Sequence, residues 1–101
     1  MKQQYRNFSD FYQFYLSEHQ DRANRRLHFA GSCLVIAVLL TAMFTQNWLW
    51  LLAAPIAGYS FAWIGHFFFE KNRPATFQYP LYSLIGDWVM FFQILTGKVS
   101  L

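Results

Sequence analysis

Three histidines stand where an otherwise apolar chain could do chemistry: His19, His28 and His66. Neutral imidazoles suit a borderline divalent metal such as iron(II) or zinc, and three of them leave coordination positions open for a substrate. Two of the three come with polar companions. His66 and Glu70 are spaced i, i+4 within Gly65-His66-Phe67-Phe68-Phe69-Glu70-Lys71-Asn72-Arg73-Pro74-Ala75, so one helical face presents both, and Asn24 and His28 share that spacing. Glu70 and Asp87 are candidates either to ligate the metal or to hold a histidine's second nitrogen, as acids around metal sites commonly do. Asn24 is a candidate hydrogen-bonding support.

The elements that must gather these residues follow from composition. The chain of 101 residues is 55% hydrophobic and 22% aromatic, and 13% charged residues are too few to cover a soluble domain of this length. Leu27 to Phe69 contains no formally charged residue, which is roughly 65 Å of helix, or about two crossings of a ~30 Å hydrocarbon layer. The expected fold is all-α and integral to a membrane, with residues 1–101 forming a single membrane domain. It opens with an N-terminal interfacial amphipathic helix at about 5–19, rich in rings that suit the headgroup level. A transmembrane helical hairpin follows over about 27–44 and 48–69, and then a short third apolar helix at about 80–95. Nothing reads as a cleavable signal, and the lone Cys33 cannot form an internal disulfide.

The net charge of +3 gathers around the spans, at Arg22, Arg25 and Arg26 before the first and at Lys71 and Arg73 after the second. The positive-inside rule explains these clusters with no nucleic-acid partner and puts both ends of the hairpin in the cytoplasm. Thr45-Gln46-Asn47 makes the far turn, Trp48 and Trp50 anchor that interface, and Pro55 is expected to kink the second span. A tight antiparallel hairpin places His28 and His66 at the same face, and His19 joins them from the preceding helix. Ala54, Gly58 and Ala62 form a small-residue ladder whose next step of four is His66, which turns that histidine toward a packed interior. The third segment, ~24 Å as a helix, is marginal for a crossing: it is a short third span or a tilted helix covering the site.

Each feature also has a plainer reading. His66 alone suits interhelical glue, His19 a solvated interface residue, His28 a member of the basic cluster, and Glu70 a partner for Lys71 or Arg73. Asp87, if buried, demands a partner. Two rival functions follow: a non-enzymatic small membrane protein with structural histidines, or a bis-histidine haem protein. The convergence of all three histidines favours a metal site over either.

The residues His19-x4-Asn24-x3-His28, followed by Gly65-His66-x2-Phe69-Glu70-Lys71-x-Arg73-Pro74-Ala75, resemble the small membrane family that includes the yeast 2-hydroxy-palmitate dioxygenase. The resemblance runs from about Phe11 to Leu95; short bacterial members share the overall layout, whereas the yeast protein has additional apolar segments between the two motifs. It implies an iron(II)-dependent dioxygenase that shortens a 2-hydroxy fatty acid by one carbon in fatty acid α-oxidation. By the same resemblance His19, His28 and His66 are the expected Fe(2+) ligands, and Asn24 and Glu70 are accompanying catalytic positions. Arg25 and Arg73 are the candidates to neutralise the substrate carboxylate. The implied partners are a 2-hydroxy fatty acid, dioxygen and the lipid bilayer, with self-association expected because few short helices enclose the site. The implied location is a bacterial inner membrane, with the N-terminus and site facing the cytoplasm.

Overall fold

A computed structural model describes residues 5–101, so residues 1–4 of the expected domain lie outside the described residues. Among the described residues the chain is all-helical, with four α-helices and no strand. Helix α1 (Phe8–Ser17) begins at Asn7, whose side chain accepts the backbone N–H of Asp10 at 2.8 Å. Helix α2 (Arg22–Thr45) begins at Asp21, whose carboxylate accepts the N–H groups of Ala23 and Asn24. Both caps satisfy donors that the first helical turn leaves without a partner.

Helix α2 ends at Gln46, which takes the left-handed conformation at φ 54°. Near this end Thr41 and Thr45 donate their hydroxyls to the carbonyls four residues earlier, at 2.8 and 2.6 Å, so neither hydroxyl needs a partner off the helix. The returning element is helical from Trp48 to Glu70 but changes pitch twice. It opens as a 3-10 turn (Trp48–Leu52), runs as α3 (Ala53–Ile64) and finishes as a π-helical turn (Gly65–Glu70). Pro55, expected to kink the span, falls in the first turn of α3, where its missing N–H removes little helical bonding. A short 3-10 turn (Ala75–Phe77) leads into α4 (Pro80–Leu95), with Pro80 at its first position.

Glycines set how closely α2 and α3 approach. A Cβ on Gly31 would stand 3.0 Å from the Cβ of Phe61, and one on Gly58 would stand 3.2 Å from a methyl of Val35. Helices α2 (24 residues) and Trp48–Glu70 (23 residues) are long and apolar enough to cross a membrane. Their outer faces expose Leu39, Leu40, Phe44, Leu49, Leu52, Ile56 and Phe68.

The aromatic face of α1, expected to lie on a headgroup layer, instead packs on α4. Phe11 and Tyr15 are fully buried, within a cluster of rings that includes Tyr5, Phe8, Tyr79 and Tyr82. Gly86 makes this possible, because a Cβ there would lie 3.0–3.3 Å from the ring of Tyr15. Two phenols anchor the contact: Tyr12 donates to Gln93 at 2.5 Å and Tyr15 donates to Asp87. Phe29 of α2 stacks on Phe91, so α4 bridges the first two helices and covers the site described next.

Candidate metal centre

Each histidine arrives from a different piece of backbone. His19 lies in the turn after α1, His28 two turns into α2, and His66 on the π turn. They are 1%, 7% and 2% exposed. Their rings stand nearly perpendicular to one another, at 81–89°, with centroids 4.5–5.0 Å apart. One ring nitrogen from each lies within 4.8 Å of the other two, so these three buried histidines can hold a metal ion.

The Nδ1 atoms fix the tautomers. His19 Nδ1 faces the carbonyl oxygen of Tyr15 at 2.6 Å and His28 Nδ1 that of Asn24 at 3.0 Å. A carbonyl oxygen only accepts, so both Nδ1 atoms carry the hydrogen. His66 Nδ1 faces Asn72 Oδ1 at 2.7 Å, and the orientation of that amide is set because its Nδ2 donates to the carbonyl and carboxylate of Glu18 at 3.2 Å. All three rings therefore donate through Nδ1, which leaves each Nε2 as an acceptor with a free lone pair. The Nε2 atoms of His19 and His28 are 3.2 Å apart. Two ligands on one metal at ~2.0–2.1 Å stand about 2.9–3.4 Å apart, so the spacing fits a shared ion.

Electrostatics agree with this assignment. Burial, and then the neighbouring His28 and His66, pushes the pKa of His19 well below the ordinary histidine range, so the ring stays neutral, the form that binds a metal. Tyr15 stacks on His19 with centroids 4.0 Å apart. Burial, with the charge of Asp87 beside it, holds the Tyr15 phenol well above its usual range, so it remains a donor.

The other expected site residues divide. Asn24 is completely buried, but its backbone carbonyl is what holds His28, while its side chain lies on Gly65 with neither amide atom bonded. Glu70 does not join the histidine group: it accepts the backbone N–H of Asp21 and ties the π turn to the start of α2. The reason is a competing partner: the backbone N–H of Asp21, just before α2, takes the Glu70 carboxylate, while Asn72 takes His66. Asp87 also stands outside the ligand group but lines the small cavity beside it, together with Tyr15 and Ser83. Arg25 is half-buried, reaching Ser100 at 3.5 Å, and its charge is felt at His19. Arg73 is exposed and is not brought to the cluster.

Three contributors escaped the sequence reading. Asn72 is the partner of His66. The backbone carbonyl of Tyr15 orients His19, and backbone acceptors leave no signature in residue type. Ser83, 2% exposed, lines the cavity with its hydroxyl unbonded; its i, i+4 spacing to Asp87 was the available signal. A haem held between His19 and His28 does not fit, because their Nε2 atoms 3.2 Å apart leave no room for a macrocycle between them.

Among known proteins, a family model described as 2-hydroxy-palmitic acid dioxygenase Mpo1-like matches residues 5–99. No curated protein and no solved structure matches.

Proposed function

The chain belongs to the Mpo1-like family of 2-hydroxy-palmitic acid dioxygenases, and on that premise we propose that it is an iron(II)-dependent dioxygenase that shortens a 2-hydroxy fatty acid by one carbon. The observation that carries this reading is the set of three buried histidines with one ring nitrogen each within 4.8 Å of the others, each ring held by an acceptor at Nδ1. Structural histidines would be expected to share protons with one another or with the backbone through both nitrogens. Here the second nitrogens of His19 and His28 face each other instead.

His19, His28 and His66 hold the iron. When bound there it supplies the redox partner that dioxygen needs to react with a closed-shell organic acid. The reaction balances as 2-hydroxy acid plus dioxygen giving the acid one carbon shorter, carbon dioxide and water. The chain's own groups orient and shield the substrate. Asp87, kept in place by Tyr15, and the unbonded Ser83 hydroxyl offer hydrogen bonds to the hydroxyl and carboxyl end. Arg25 contributes positive charge on the same side, while the aromatic packing of α1 on α4 keeps bulk water out.

The exposed apolar faces of α2 and Trp48–Glu70 support an integral membrane protein; the basic residues flanking the hairpin favour its two ends and the histidines on the cytoplasmic side, and the location in this reading is a bacterial inner membrane. Anaerobic reconstitution of the purified protein with iron(II), followed by 2-hydroxypalmitate and dioxygen, tests the activity. The expected product is pentadecanoate with one carbon dioxide released per dioxygen consumed; no shortened acid from iron-loaded protein rejects the reading.

A further inference from the structure

Between α2, α3 and α4 lies a cavity of ≈ 270 Å³ whose walls are mainly apolar. His28 and Asp87 form one end of it, and Val35, Ala54 and Pro55 the other. The small cavity at the histidines is lined by the same His28, Asp87, Tyr59 and Ala62, so the two spaces meet at these four residues. The ladder of Ala54, Gly58 and Ala62, which looks in sequence like a helix-packing stripe, therefore serves a second purpose. Its small side chains leave this space open along α3.

We propose that this cavity is the acyl-chain site, that a chain enters it sideways from the bilayer, and that Val35 and Ala54 set the length accepted. The inference rests on the dioxygenase reading and names where the rest of its substrate goes. The occupant is an acyl chain because the mainly apolar space ends at His28 and Asp87, which it shares with the small cavity where the carboxyl end would meet the histidines. Entry is sideways because the rim residues Pro55 and Leu84 are exposed on the apolar flank, with Leu84 at 48%. From Ala62 to Ala54 is about 12 Å of helix axis. An extended carbon chain advances about 1.2 Å per bond, so roughly ten carbons reach the far end. A 2-hydroxy acid of that length fills the cavity, and a longer one is accepted only when its remainder passes between Val35 and Ala54 and out over Pro55 into lipid.

Two measurements on the full chain in detergent or nanodiscs test this. In the first, kcat/KM is compared for 2-hydroxypalmitate and 2-hydroxyoctanoate in wild type, Ala54→Phe and Val35→Phe. The ratio of long to short is expected to fall at least tenfold in both variants, and an unchanged ratio overturns the length-setting role. In the second, a 2-hydroxy fatty acid carrying a diazirine near its tenth carbon is photolysed without dioxygen and the labelled residues are mapped. Labels on Val35, Ala54 and Leu84 that 2-hydroxypalmitate competes away support the site. Uncompeted labels spread over Leu39, Leu40 and Phe44 overturn it. Competed labelling with no turnover would reject the dioxygenase reading while leaving the acyl site standing.

Discussion

The Nε2 atoms of His19 and His28 face each other across 3.2 Å with no hydrogen between them, because each neutral ring carries its one N–H at Nδ1 and donates it to a backbone carbonyl. Two lone pairs at that distance repel in a buried setting, and a cation between them converts the repulsion into binding. With His66 completing the set, the fold holds a metal-shaped charge demand.

Metal removal should therefore loosen the protein. A ligand that binds only the folded state stabilises it by about 2.7 kcal/mol at a hundred times its Kd. Saturating iron(II) under anaerobic conditions is expected to raise the unfolding midpoint of wild type, and a chelator to reverse the rise. In His28→Ala and His66→Ala the shift should vanish; a wild-type-sized shift in either would remove that histidine from the ligand set.

Asn72 should matter to metal affinity although it lies six residues from its histidine. Its Oδ1 fixes the ring of His66 while its Nδ2 grips Glu18. Loss of such an orienting partner typically costs 10–100-fold in affinity. Asn72→Leu is expected to weaken iron binding within about that range, read by titration with a competing chelator, while the far-ultraviolet spectrum stays helical. A change below about twofold would show that His66 is oriented without it.

Gly65 admits no side chain, since a Cβ there would lie 1.9 Å from Oδ1 of Asn24. Gly65→Ala should destabilise the protein by about 1–3 kcal/mol through overpacking. The strain sits between two contacting residues, so the double variant Gly65→Ala/Asn24→Ala should recover much of the loss. Additive losses in the cycle would place the problem elsewhere on the helix.

Tyr15 offers a way to separate the substrate end of the site from the metal. Tyr15→Phe deletes the hydroxyl that reaches Asp87 but keeps the backbone carbonyl that orients His19. Leaving the buried carboxyl without its donor should cost about 1–3 kcal/mol of stability. Iron affinity should stay within a few-fold of wild type, whereas KM for the 2-hydroxy acid should rise. A collapse of iron binding in this variant would mean that the phenol, and not the carbonyl, sets the position of His19.

The meeting of the histidines was legible in the sequence because it needs only topology. One charge-free stretch, a central polar turn and charges at both ends force a hairpin, and a hairpin brings His28 and His66 level. What holds them was less legible. Backbone carbonyls of Tyr15 and Asn24 have no residue code, and the pairing of His66 with Asn72 depends on a helical pitch that residue types do not announce. The burial of Phe11 and Tyr15 was unreadable for another reason. An aromatic stripe looks the same whether its partner is a headgroup layer or a helix some seventy residues further on, and only the Gly86 gap in α4 decides between them.

The π turn from Gly65 to Glu70 is a stretch of helix with one residue more than an α-turn needs. That surplus carries the chain past His66 to Lys71, whose left-handed φ of 60° reverses its course and sends Asn72 back to the ring. Within Phe67–Phe69 three like residues run in a row, so loss of any one leaves the composition almost untouched. It would nonetheless return the turn to α pitch and swing the reversal by about 100°. The centre is thus set by a count as much as by chemistry: a single-codon deletion among near-identical phenylalanines would disarm the site as surely as loss of a histidine.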